Sequence, residues 1–156
     1  MKYFILLVAV TQALLASGQP TNTIPAPHIT ILTARDDSLD VSWSKVENVI
    51  SNEPVLGYVV KVWEIPPVTV YKYEVKDGEK VLVQEQKEPE LDTTKIPSGV
   101  PREIKVPDAT ITTANIDGIK FNVLYHIRVL AYTKSQQGPL SDAAGIKLID
   151  NDTKTS

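Results

Sequence analysis

The chain reads as an all-β protein, an antiparallel β-sandwich of seven or eight short strands with an extra hairpin. Three observations predict this. Phe121 to Tyr132, FNVLYHIRVLAY, splits into two alternating rows. Phe121, Val123, Tyr125, Ile127, Val129 and Ala131 are apolar or aromatic, whereas Asn122, Leu124, His126, Arg128, Leu130 and Tyr132 are mixed. A period of two is that of a strand with one buried face. Asp77-Gly78 stands between two runs rich in Val and Tyr, a strong two-residue hairpin signal. No useful helical period appears after the first 18 residues, and turn signals recur between short apolar runs, as a sandwich requires.

The elements follow in order. Residues 1–18, MKYFILLVAVTQALLASG, have a positive start at Lys2, an apolar stretch and small residues at Ala16, Ser17 and Gly18. That is the pattern of a secretory signal peptide cleaved after Gly18. Polar Thr11 and Gln12 interrupt a run too short to span a membrane. Residues 19–25 form a lead-in and residues 26–149 the single domain. His28 to Thr33 and Leu39 to Trp43 are strands around the Asp-rich turn at Asp36-Asp37. Leu56 to Glu64 is a third strand, stopped by Pro66-Pro67. Residues 66–107 make an extended hairpin and a long connection. Within it Lys76 and Glu79 flank the Asp-Gly turn, Tyr73 faces Leu82, and four prolines lie between Lys87 and Pro107, with a short strand expected at Glu103–Val106. DATITTANI, from Asp108, is another strand, then the opening segment, then Ala143 to Ile149. Residues 150–156 are a polar tail.

Composition limits the function. The 156 residues less 18 leave 138, enough to bury a core. Without Lys2 there are 15 basic and 19 acidic residues, a net charge of −4. A mildly acidic chain is not built for nucleic acid or for an anionic membrane surface. With no cysteine there is no disulfide, thiolate zinc site or cysteine nucleophile. No second apolar run is long enough to span a bilayer and no lipid-anchor signal is present. A secreted, released protein is expected.

Catalytic motifs are missing: there is no Gly-x-Ser-x-Gly, HExxH, phosphate loop or EF-hand spacing. The chain is expected not to be an enzyme and to need no cofactor. The two histidines, His28 and His126, joined by a carboxylate, are the only candidate metal set, and an exposed strand histidine is usually just solvated. Asn151-Asp152-Thr153 is the one N-glycosylation sequon.

Four features in the right order carry a family resemblance. The second strand ends in Trp43, the third holds Gly57-Tyr58-Val59-Val60, Ile119 precedes Tyr125-x-Ile127-x-Val129-x-Ala131, and Gly138-Pro139-Leu140-Ser141 comes before the last strand. From about Pro25 to Ile149 the chain resembles a fibronectin type III domain. The resemblance implies an immunoglobulin-like sandwich and an extracellular binding role. It makes Trp43 and Tyr58 core residues and Tyr125 the tyrosine corner, its hydroxyl bonded to backbone a few residues upstream. The chain departs from the pattern at Phe121, where the family places proline, and in the length of 66–107. Neither Arg-Gly-Asp nor Trp-Ser-x-Trp-Ser occurs.

The resemblance also makes the strands of Tyr58 and Tyr125 neighbours. Tyr58, Val60 and Val62 then point inward, and Val59, Lys61 and Trp63 point outward beside His126, Arg128, Leu130 and Tyr132. An exposed patch of Val59, Trp63, Leu130 and Tyr132, rimmed by Lys61 and Arg128, has the composition of a contact surface for an extracellular protein or receptor. The competing reading is that the hairpin or the long connection covers this face. A second route is a homodimer through the hairpin edge, where Lys80 to Gln84 carry Val81, Leu82 and Val83. The alternative function is a small-molecule or metal-binding extracellular carrier, with a pocket under the long connection and His126 as its candidate ligand.

Overall fold

The computed structural model describes residues 4–5, 24–47 and 53–150. The strands in chain order are β1 (Phe4–Ile5), β2 (Ile29–Arg35), β3 (Ser38–Trp43), β4 (Gly57–Ile65), β5 (Val68–Lys76), β6 (Glu79–Lys87), β7 (Arg102–Val106), β8 (Thr113–Asp117), β9 (Leu124–Tyr132) and β10 (Ala144–Ile149). One sheet has the order β1-β10-β9-β4-β7, a second has the order β2-β3-β8, and β5–β6 stand as a separate hairpin. All strand pairings are antiparallel. The expected signal peptide lies outside the described residues except for Phe4–Ile5, which pair with Ile149 and Leu148. Asn151 and the tail beyond Asp150 also lie outside them.

The two larger sheets enclose the core. In β3 the alternation is clean: Leu39, Val41 and Trp43 are buried and the residues between them are half-buried. Tyr58, Val60 and Val62 of β4 and Tyr125, Ile127, Val129 and Ala131 of β9 meet them from the other sheet. Trp43 and Tyr58 pack edge to face, with centroids 5.3 Å apart and planes at 61°, a favoured aromatic geometry. The buried Tyr58 hydroxyl accepts from the Val46 N–H at 3.0 Å and donates to the Ala109 carbonyl at 3.4 Å. Both of its polar roles are thus filled.

Local chemistry moves the expected starts of β8 and β9. Asp108 Oδ1 accepts from the backbone N–H and the hydroxyl of Thr110, at 2.8 and 2.7 Å. That turn delays β8 until Thr113. Asn122 has φ 60°, the left-handed region that breaks a strand. β9 therefore begins at Leu124, and Phe121, expected in the inward row, is 38% exposed. β7 begins one residue early, at Arg102. In the hairpin Asp77 and Gly78 have φ 53° and 85°, a type I′ turn. Tyr73 is opposite Leu82 and Lys76 opposite Glu79.

Two hydroxyls fix the corners of the large sheet. Tyr125 accepts from the Lys120 N–H at 3.0 Å, tying the start of β9 to the turn before it. Ser141 is buried. Its Oγ accepts from the Val129 N–H at 2.9 Å, and its own N–H donates to the Val129 carbonyl at 2.7 Å, so the β9 ladder continues where β10 has not yet begun. Tyr125→Phe leaves the Lys120 N–H without its acceptor and is expected to lower stability by about 1–2 kcal/mol. Urea denaturation should show the loss as a lower midpoint with an unchanged slope. An unchanged midpoint would remove this bond from the account of the corner.

Candidate functional site

The outward row is where the expected site lies. Pairing of β4 with β9 sets Val59 opposite Leu130, Lys61 opposite Arg128, Trp63 opposite His126 and Gly57 opposite Tyr132. Directly paired residues share a face, so the expected residues do come together. They are not an exposed patch. Trp63 is 4% exposed and His126 1%, and Val59, Leu130 and Arg128 are buried as well. Only Lys61 and Tyr132 remain half-buried at the rim. The reading of an exposed patch with a solvated His126 is therefore corrected, and the competing reading, in which the long connection covers this face, holds: β4 and β9 are covered on both faces. Residues 88–101, the strap, do much of the covering.

The strap has prolines at 89, 97 and 101 and forms no strand, so its carbonyls have no ladder to join. Side chains of the sheet supply donors. The Trp63 indole N–H donates to the Gly99 carbonyl at 2.9 Å. Arg128 Nη2 donates to the Thr93 carbonyl at 2.8 Å and the Lys95 carbonyl at 3.4 Å, Nη1 to the Ser141 carbonyl at 3.0 Å, and Nε to His126 Nε2 at 2.9 Å. A planar guanidinium with five donors suits such a fork. Asp92 shapes the strap beneath it. Its Oδ1 accepts from the Thr94 hydroxyl at 2.6 Å and N–H at 3.0 Å, and Oδ2 lies 3.2 Å from Lys95 Nζ. Thr94 and Lys95 together hold its carboxyl down to about 2.

Packing and charge close the two ends. Leu91 lies where a side chain at position 145 would stand: a Cβ on Gly145 would come within 2.3 Å of its Cδ2. The glycine in β10 is the space the strap needs. Glu88 pairs with Lys147 of β10. On the opposite side Lys61 turns to Glu103 of β7 at 2.9 Å, so the two paired cations Lys61 and Arg128 part to different partners. Lys105 Nζ lies 4.9 Å from the Tyr132 ring centroid, within cation–π range.

His126 packs edge to face on Trp63, with centroids 5.5 Å apart and planes at 86°. Burial, and then the Arg128 charge, push its pKa down to about 4. The ring is neutral at pH 7, which lets Nε2 accept from Arg128. His28 is exposed in the lead to β2, in the other sheet, and no group of three metal-ligating side chains occurs among the described residues. The two histidines are therefore not brought together. Sequence reasoning missed Leu91, Asp92 and the strap carbonyls. The one available signal was Gly145 inside a strand, a mark of close approach. Between Glu64, Pro66 and the strap lies a cleft of about 870 Å³ that reaches His126.

A histidine held neutral in the fold lowers stability on acidification, because the unfolded chain takes up the proton first. The contribution is whole above about pH 6.5, the ordinary value, and is lost as pH falls toward 4. The urea midpoint should drop between pH 7 and 5, above the range where the carboxylates titrate. In His126→Gln that part of the pH dependence should flatten. An equal slope in wild type and variant would assign the effect elsewhere.

No curated protein matches the sequence. Among solved structures, a myokine structure is 17% identical, with 82% of this chain aligned to 100% of that one at a TM-score of 0.48. The twitchin kinase region from C. elegans is 15% identical, with 86% of this chain aligned to 18% of that one at 0.48. The sixth fibronectin type III domain of human fibronectin type III domain containing protein 3 is 14% identical, with 90% and 97% aligned at 0.43. The model of the fibronectin type III domain matches residues 22–146. With that match across most of its length, and with two antiparallel sheets packed around Trp43, Tyr58 and Tyr125, this chain belongs to the fibronectin type III family.

Proposed function

We propose that the chain is a secreted, non-catalytic binding module that contacts an extracellular protein or cell-surface receptor through the β5–β6 hairpin. Family membership supports the coarser part, since fibronectin type III domains are generally binding modules. Secretion rests on residues 1–18, with Asn151 as the attachment point for a glycan. No helix among the described residues is long and apolar enough to cross a membrane.

The observation that carries the contact surface is the hairpin's unpartnered apolar face. Register puts Tyr71, Tyr73, Val75 and Leu82 on one side, and each is more than half exposed. The other side is laced by Lys72, which lies 2.8 Å from Glu85 and 3.2 Å from Glu74. A hairpin with one charged face and one aromatic face has the residue types of an interface core and rim. This moves the expected contact from the β4–β9 face, which the strap covers, to the element beside it.

A homodimer is the second reading. β6 is nine residues long, and its outer edge, which includes Val81, Leu82 and Val83, pairs with no third strand among the described residues. An unpaired edge is a template for another chain.

Tyr71→Ser/Tyr73→Ser/Leu82→Ser should leave the thermal midpoint of the sandwich within about 2 °C, since these side chains pack on no core, yet abolish capture of partners from extracellular fluid and cell surfaces. Sedimentation velocity separates the readings: a wild-type dimer that the triple variant disperses favours self-pairing, and a monomer favours the receptor. Equal capture by both proteins would refute the hairpin surface.

A further inference from the structure

The free edge of β6 supports an inference that rests on the hairpin reading above and goes beyond both of its forms. Lys76 and Glu79 are paired across a two-residue turn, and such a turn hydrogen-bonds its flanking pair. Bonded pairs alternate along an antiparallel ladder. The odd-numbered residues from Glu79 to Lys87 therefore turn their N–H and C=O groups toward β5. Those of Lys80, Leu82, Gln84 and Gln86 face outward, and no third strand meets them among the described residues. A two-stranded hairpin is marginal in water, whereas three or more strands with an apolar face are stable. The edge can take another strand, and the hairpin gains stability when it does.

The strand that fits is a second β6. Its sequence, EKVLVQEQK, is complementary to itself in one register. Two copies of a strand that pair antiparallel are related by a two-fold axis perpendicular to the sheet. Each residue then stands opposite one of the same parity, and their side chains share a face. With the axis at Val83 the whole strand pairs. Glu79 meets Lys87 of the second copy at both ends, Val81 meets Glu85, Leu82 meets Gln84, and no like charges stand opposite each other. Moving the axis to Leu82 opposes Glu79 to Glu85. Moving it to Gln84 carries Glu79 and Lys80 past the end of the second strand. The edge of β5 has no full register of this kind, since its centre sets Lys72 against Lys72.

This register also builds a surface. Within each hairpin Tyr73 is opposite Leu82 and Tyr71 opposite Gln84. Across the axis Leu82 adjoins Gln84 of the second copy. One row then runs Tyr73, Leu82, Gln84, Tyr71 through both copies, and its symmetry mate runs beside it. A single hairpin offers a face two strands wide. Four strands span about 14 Å from first to last and carry the tyrosines of both copies on one side. The two sandwiches lie at opposite ends of a strand pair roughly 30 Å long. We infer that the partner-binding site is completed by a second copy of this chain: β6 pairs with β6 about Val83, and the tyrosine platform so formed contacts the extracellular protein or receptor.

The test is sedimentation velocity of the full secreted chain, with capture from extracellular fluid and cell surfaces measured on the same samples. Wild type is expected to be a dimer. Gln84→Pro removes an outward N–H and leaves the ladder to β5 whole, so it should be monomeric and lose capture. Lys87→Glu, which leaves the backbone untouched, should weaken the dimer about five- to tenfold. Lys76→Glu/Glu79→Lys/Lys87→Glu restores complementarity across both the axis and the turn and should recover it. The hairpin triple variant keeps the edge and loses the face, so it should stay dimeric and yet lose capture. A monomeric wild type, a dimer indifferent to Gln84→Pro and Lys87→Glu, or a monomeric Gln84→Pro that captures as wild type does would each overturn the two-copy site. In all three cases the triple variant still decides the hairpin reading by itself.

Discussion

The strap is held by a charge that could not otherwise stay dry. Arg128 lies buried on the outward face of β9, and no carboxylate pairs with it among the described residues. Removing a guanidinium from water is costly unless its donors are filled. Here His126, Ser141, Thr93 and Lys95 fill them. The strap has the complementary deficit, carbonyls with no ladder. Each side satisfies what the other leaves open, so neither the buried arginine nor the irregular covering segment is tolerable alone. The Trp63 bond to Gly99 and the space at Gly145 fix where the strap lies once the arginine has drawn it down.

This explains why the outward row of a strand in a two-sheet sandwich is half apolar. β4 and β9 lie between two layers, the core on one face and the strap on the other, and are buried almost throughout. A strand covered on both faces reads as a nearly continuous apolar run. β9 keeps two polar residues, His126 and Arg128, because they carry the covering segment. The neutral state of His126 belongs to the same arrangement: a protonated ring would face Arg128 with a donor where an acceptor is needed.

The sandwich was legible because its cause is local and periodic. The rows Leu39-Val41-Trp43, Tyr58-Val60-Val62 and Tyr125-Ile127-Val129-Ala131 repeat every second residue, and period two states which residues share a face. The family resemblance made the two strands neighbours, and period within each then placed Val59, Trp63, Arg128 and Leu130 on one face. Period does not state what covers a face, so the exposed and the covered readings stood side by side until burial decided for the covered one. The strap has no period, its carbonyls are invisible in a sequence, and its partners lie about 35 positions away, as Thr93 does from Arg128. Asn122 and the Asp108 turn shifted strand ends for a related reason: a single left-handed residue or side-chain acceptor outweighs β propensity nearby.

The same insertion that covers the sheet also exposes the hairpin, and the two halves depend on each other. A two-stranded hairpin alone is marginally stable in water. Its turn and the Lys72 ion pairs set its register, but they do not set where it points. Its ends do. β5 leaves β4 across only Pro66-Pro67, and β6 runs into Glu88, which pairs with Lys147. Proline fixes φ on one side and the strap fixes the chain on the other. The aromatic face of Tyr71 and Tyr73 is therefore aimed by the arginine fork through the strap, although no atom of Arg128 needs to touch it. Weakening that fork acts on the hairpin as a loss of orientation before it acts as a loss of fold, because the core on the inner face of β4 and β9 does not pass through the strap.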